Sequence, residues 1–176
     1  MKIVRSFPKE IPSGRSYVVD GIDRLIIENY RYDALADLGD DVLLLEWDIA
    51  AGEHDLAMFA EAAAHQPADV LVAPYRLYQS NHTTRGLRET VWVHGLWPDY
   101  RRVKTGDPFC NLFGFGMTYL PRRHILGYLE ARDQARDGHQ WGFSDSSFSG
   151  WHYRCVKQWV PIAWGIQPVH LNYGRE

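Results

Sequence analysis

Residues 41–52, DVLLLEWDIAAG, decide how this chain is read. Val42-Leu43-Leu44-Leu45 is a short apolar run, with Gly39-Asp40-Asp41 before it and Gly52 after it. A run of that length between turn residues is predicted to be a fully buried strand. It stops abruptly at Glu46-Trp47-Asp48. Strand side chains alternate, so Glu46 and Asp48, one residue apart, are expected on the same side. Carboxylates at the edge of a core need water or a partner. Either the acids face solvent at a strand end, or they hold a hard divalent cation, Mg²⁺ or Mn²⁺, which prefers carboxylate and phosphate oxygens. Their position at the end of the most hydrophobic stretch of the chain favours the cation.

Working outward, residues 53–65 are alanine-rich and place Leu56, Phe59, Ala60 and Ala63 on one face, predicting a helix that stops near Pro67. Residues 69–75, DVLVAPY, predict a second buried strand closed by Pro74. Strand, helix and strand imply an α/β fold with the acids at the C-terminal edge of the first strand, where open α/β sheets bind ligands. Upstream, Lys2-Ile3-Val4 and residues 16–19 lean towards strand, punctuated by Pro8, Pro12 and Gly14. Residues 22–38 fit a helix through Leu25, Ile26, Tyr30, Ala34, Leu35 and Leu38.

Downstream, residues 79–88 read as a polar loop and Val91-Trp92-Val93 as a strand leading into His94-Gly95-Leu96-Trp97-Pro98. Arg101, Arg102 and Lys104 form a small basic patch. In residues 111–120, NLFGFGMTYL, Gly114 and Gly116 allow a close backbone approach or a bulge. Pro121 suits the first turn of a helix running to residue 135. A break is expected at 137–142, a cap and turn around Ser144, Asp145 and Ser146, and extended pieces at 159–164 and 167–171.

The bulk numbers bound the function. With 176 residues, 45% of them hydrophobic, the expectation is one domain over 1–176 with a substantial core. Seven Trp and ten Tyr suit sites that hold sugars or bases, and they also fill cores. A net charge of −3 argues against a general nucleic-acid coat, while leaving room for a local basic strip. Cys110 and Cys155 are too few for a disulfide framework. MKIVRSFPKE lacks the apolar core of a signal peptide and no apolar stretch reaches spanning length, so a cytoplasmic protein with no membrane span is expected.

Two more residues stand out. His170 follows an apolar residue late in the chain and is either a hydrogen-bonded core histidine or a third ligand brought under the carboxylates. Asp145 precedes a predicted helix and is either its N-cap or a general base for a hydroxyl proton.

Four stretches, taken in order, resemble the GT-A glycosyltransferases, which move a sugar from a nucleotide-sugar donor. They are LLLEWDIA (43–50), DVLVAPYRLY (69–78), NLFGFGMTYLPRR (111–123) with FSDSSFS (143–149), and VHL (169–171). The resemblance implies a GT-A-like, Rossmann-like mixed sheet flanked by helices. It implies Mn²⁺ or Mg²⁺ bound with the donor diphosphate by Glu46, Asp48 and His170. It makes Asp145 the base of an inverting transfer, and it brings Phe115, Gly116, Met117 and Thr118 close to the donor sugar and acceptor. Trp47, His94 and Trp97 are further candidates for lining that pocket. The first acid is Glu where Asp is commoner, and 45 residues precede it. The base-binding strands are therefore expected to be abbreviated, or completed by another chain in a homo-oligomer. The acceptor stays open among a protein, a glycan, a lipid-linked carrier and a modified DNA base. A domain of the same fold that binds sugar or nucleotide without catalysis is the first alternative. The second rests on His94-Gly95-Leu96-Trp97-Pro98-Asp99, which resembles the first active-site segment of T2 ribonucleases. That family's second segment is missing.

Overall fold

The computed structural model describes residues 1–7, 25–28, 32–66, 69–80, 88–99, 101–134 and 143–171, without the side chains of 7, 25–28, 77–80 and 88–91. Strands β1 (Lys2–Phe7) and β2 (Leu25–Glu28) are followed by a 3₁₀ segment, Tyr32–Leu38. Next come β3 (Val42–Leu45), β4 (Ile49–Ala50), helix α1 (Glu53–His65) and β5 (Leu71–Val72). Two antiparallel pairs follow, β6 (Arg76–Ser80) with β7 (Arg88–Trp92), and β8 (Gly95–Leu96) with β9 (Arg101–Arg102). The chain continues through β10 (Phe109–Cys110), β11 (Met117–Leu120), α2 (Arg122–Gln134) and α3 (Asp145–Trp151). A π-helical turn, His152–Val156, extends α3, and β12 (Val160–Pro161) and β13 (Val169–His170) complete the elements.

The fold is α/β with a mixed sheet. Five strands run in the order β2-β1-β3-β11-β5. β1 lies parallel to both β2 and β3, while β11 is antiparallel to β3 and β5. All four residues of β3 are fully buried, as the uninterrupted run VLLL requires of a central strand covered on both faces. Alternation sorts them. Val42 and Leu44 join Val4, Val72, Leu120, Ile125, Tyr128 and Phe148 on one face. Leu43 and Leu45 join Leu56, Phe59 and Ala63 of α1, with Met117 and Tyr119, on the other.

Helix α1 has the predicted bounds, and Leu56, Phe59 and Ala63 are its buried residues. Helix α2 starts directly after Pro121, whose carbonyl accepts from His124 and Ile125. The predicted helix over 22–38 is corrected. Leu25–Glu28 is a strand in register with Val4–Phe7, and only Tyr32–Leu38 is helical. Leu25-Ile26-Ile27 is an unbroken run with two β-branched residues, which suits a strand beside β1 better than a helix face. The loop read at 79–88 is also corrected at its ends, where Gln79 and Ser80 pair with Glu89 and Arg88. The strand expected at 16–19 and the break at 137–142 lie outside the described residues. Among the described residues, no helix is long and apolar enough to cross a membrane.

Candidate active site

β1 has β2 on one side and β3 on the other, so the chain reverses its direction of travel across the sheet between β1 and β3. The crevice beyond the carboxyl ends of such strands is the usual ligand site of open α/β sheets. Glu46-Trp47-Asp48 is the first segment past the end of β3. Its backbone is fixed on two sides. Glu46 N–H donates to Gly116 O at 2.8 Å. Arg5, near the end of β1, donates from Nη1 to the carbonyls of Glu46 (3.3 Å) and Ile49 (3.2 Å).

The C-terminal strand returns to this loop. β13 pairs with β4, aligning His170 with Ile49, and Leu171 N–H donates to Asp48 O at 2.7 Å. That pairing sets His170 Nε2 3.0 Å from Asp48 Oδ2. The other oxygen, Asp48 Oδ1, is buried with no hydrogen-bond partner among the described residues. A buried carboxylate oxygen without a donor is costly unless something positive is to meet it.

Asp145 enters from the opposite core. Ser144 is the N-cap of α3, accepting from Ser147 N–H at 3.3 Å and donating its own N–H to Ser147 Oγ at 3.0 Å. Asp145 is therefore the first helical residue and is not needed as the cap. Its Oδ1 accepts from Ser146 N–H at 2.6 Å. Together Glu46, Asp48 and Asp145 form one acidic group. Burial, with Asp145 and then Asp48 nearby, pushes the Glu46 carboxyl up to about 8, against the pull of the hydrogen bond from Tyr32 Oη at 3.2 Å.

Tyr75 closes the floor of the site. Its ring stacks on His170 with centroids 6.1 Å apart and 5° between planes, and it meets His94 edge-on at 5.5 Å. Gly114 and Gly116 leave the space it occupies. A Cβ on Gly116 would lie 2.6 Å from Tyr75 Cζ. Burial, then Glu46 and Asp145, raises the Tyr75 hydroxyl far above its ordinary range, so it stays a neutral donor.

The sequence-predicted residues thus divide. His170 meets Asp48, and Glu46 lies within electrostatic reach of Asp145 and Asp48, with half-buried Trp47 between the two acids of the loop. Phe115, Met117 and Thr118 are fully buried. Phe115 packs among Tyr32, Phe143 and Phe148, and Thr118 Oγ1 donates to Gly114 O. Contact with a substrate is closed to these three side chains in this arrangement, and Gly116 takes part through its backbone and its lack of a Cβ. His94 is buried behind Tyr75, with Nε2 2.8 Å from Ala73 O. Burial holds it down at about 4, so it is neutral and out of reach of a ribose, unlike the acid/base His of a T2 ribonuclease. Trp97 stands with Tyr153, centroids 6.2 Å apart, and its backbone is tied to the Asn111 amide. Arg5, Tyr32 and Tyr75 escaped the sequence reading. Tyr75 alone left a trace there, as the polar-tipped residue ending a buried strand.

The raised carboxyl gives a stability prediction. Between about 4.5 and about 8 the folded chain holds the Glu46 proton that the unfolded chain releases. Stability from this group is complete below the lower value and is lost as pH rises through the upper one. Glu46→Gln, which stays neutral, is expected to be more stable than wild type by a few kcal/mol above pH ~8.5 in EDTA, with almost no gain near pH ~4. Urea unfolding at the two pH values checks it, and an equal difference at both would contradict it.

Asp48 and Glu46 carry carboxylate oxygens and His170 an imidazole nitrogen, donor types that Mn²⁺ and Mg²⁺ accept, and Asp48 Oδ1 is unpaired among the described residues. Among the described residues no group of three His, Cys, Asp or Glu side chains is placed to hold a metal ion. The chain matches no protein-family model and no curated protein. Among solved structures it is similar to A197 from STIV, with 16% sequence identity and a TM-score of 0.48 over 96% of this chain and 81% of that one.

Proposed function

We propose that this chain is a metal-dependent glycosyltransferase of GT-A type, inverting, which moves a sugar from a nucleotide-diphosphate donor to an acceptor hydroxyl. The observation that carries the reading is the meeting of Asp48 and His170, 3.0 Å apart, with Glu46 and Asp145 at the point where the sheet changes direction. Glu46, Asp48 and His170 are the residues that would hold Mn²⁺ or Mg²⁺, with the donor's phosphate oxygens completing the set. When bound, the ion supplies charge stabilisation to the departing nucleotide diphosphate. Arg5 holds the acid loop through its carbonyls, so the carboxylates are placed before donor arrives. Tyr32 keeps Glu46 oriented by donating to Oε1. Asp145, in the first turn of α3, takes the proton from the acceptor hydroxyl as it attacks the anomeric carbon. The free thiols of Cys110 and Cys155 fit a reducing, cytoplasmic setting.

Nucleotide release tests the reading. The chain is incubated with a panel of nucleotide sugars and Mn²⁺, with Asp48→Ala as control. Release that needs Mn²⁺ and Asp48 supports transfer or its hydrolytic side reaction. Donor binding with no release across acceptors would leave a sugar-nucleotide binding module.

A further inference from the structure

The geometry assigns a second ligand site to the cavity at the far end of the α3 helix. We propose that it binds a nucleotide unit, the base stacked on Trp159 and Tyr153 and the phosphate held by Arg154 and Lys157. The cavity measures ≈ 370 Å³ and is lined by Asn111, Tyr153, Arg154, Lys157, Gln158 and Trp159. That volume lies in the range of small-ligand sites.

The lining is chemically one-sided. It holds two aromatic rings, two cations and two amides, and no acid, in a chain whose net charge is −3. Arg154 and Lys157 are exposed and form no ion pair among the described residues. Trp159 lines the cavity and is 55% exposed, so its ring face is open to a ligand. A base has a π-face for such a ring and a phosphate for the adjacent cations, the combination that binds nucleotide units without reading sequence.

The backbone is shaped for this. The π-helical turn ends at Lys157, which has φ 59°, the only positive-φ non-glycine residue among those described. Its N–H closes on His152 O at 3.0 Å. This left-handed residue turns the chain so that Gln158 and Trp159 fold over the cavity before β12. Left-handed non-glycine residues are held at a cost and concentrate at binding sites. On the other wall, Asn111 is locked by two hydrogen bonds to the Trp97 backbone, and Trp97 rests edge-on against Tyr153.

This site is separate from the donor site. Tyr153 lies eight residues along the helix from Asp145, roughly 12 Å at the helical rise. Binding here needs none of Glu46, Asp48 and His170 and no metal. The shared chemistry, a base with its phosphate, comes either from a free nucleotide or from a nucleotide within a single strand.

Tryptophan fluorescence titrations in EDTA test the proposal, using a nucleoside monophosphate, a short oligothymidylate and an abasic oligomer of the same length. Saturable quenching by the monophosphate assigns a free nucleotide, and quenching by the oligothymidylate alone assigns a single strand. Trp159→Ala is expected to weaken binding roughly 5- to 150-fold, the range for loss of one stacked base. Arg154→Glu with Lys157→Glu is expected to weaken it further and flatten its salt dependence. Asp48→Ala is expected to leave it unchanged, so failure at the donor site and failure here are told apart. Equal binding of the abasic oligomer, indifference to Trp159→Ala, or no binding of any probe overturns the proposal.

Discussion

Gly116→Ala is expected to destabilise the protein by about 3 kcal/mol, lowering Tm by roughly 6–12 °C, the upper range for overfilling a packed interior. Backbone conformation is not the cause, since Gly116 has no positive φ. The cause is space. The new Cβ would stand 2.6 Å from Tyr75 Cζ and 2.9 Å from Cδ1. Tyr75 cannot swing aside, because His170 stacks on one side of it and His94 meets its edge. Gly116 cannot recede either, because its carbonyl holds Glu46 N–H at 2.8 Å. The substitution therefore also disturbs the acids. A double substitution checks the mechanism. With Tyr75→Ala already present, Gly116→Ala is expected to cost far less than alone, a coupling that contact alone produces. Additive losses in thermal or urea unfolding would show that Tyr75 is not what Gly116 makes room for.

Asp145→Asn is expected to lower turnover roughly a hundred- to ten-thousand-fold, the usual contribution of a positioned base. Donor affinity and folding stability are expected to change little. The separation is possible because Ser144, not Asp145, caps α3. Losing an interaction made only in the transition state lowers kcat and kcat/KM together. Steady-state kinetics with a fixed donor, beside thermal unfolding of the same variant, provide the check. If the variant loses stability and donor binding in proportion to turnover, the carboxylate is structural.

Much of the fold was legible because its centre is local in sequence. Val42–Leu45 is a buried strand from composition alone, and the 3.6-residue spacing of Leu56, Phe59 and Ala63 gives α1. A cap and turn were expected around Ser144, Asp145 and Ser146, with Asp145 weighed as the N-cap; the cap is Ser144. What was missed depends on distant partners. Leu25–Glu28 becomes a strand by lying parallel to β1, and no window around residue 25 contains β1. Arg76–Ser80 and Arg88–Trp92 pair although neither carries an apolar run.

The site follows the same division. Glu46 and Asp48 were visible as acids closing a hydrophobic run, and His170 and Asp145 as isolated residues with the right chemistry. The resemblance implied that the acids and His170 meet, and in the structure β13 pairing with β4 brings His170 to Asp48. Phe115, Met117 and Thr118 were expected as substrate contacts only because the resemblance to GT-A enzymes implied it. Met117 and Thr118 are buried because β11 lies between β3 and β5, so both of its faces meet core, and Phe115, just ahead of it, packs among Tyr32, Phe143 and Phe148. Arg5 acts on backbone carbonyls far along the chain, a role that leaves no pattern in sequence.

The central claim is that Glu46, Asp48 and His170 form a metal-dependent site for a nucleotide diphosphate. Calorimetric titration of the common nucleoside diphosphates, with Mn²⁺ and then with EDTA, tests it most directly. The expected result is binding of at least one of them in Mn²⁺, lost in EDTA and lost in Asp48→Ala while that variant remains folded. Binding of equal strength in EDTA, or full Mn²⁺-dependent binding retained by Asp48→Ala, would contradict the claim.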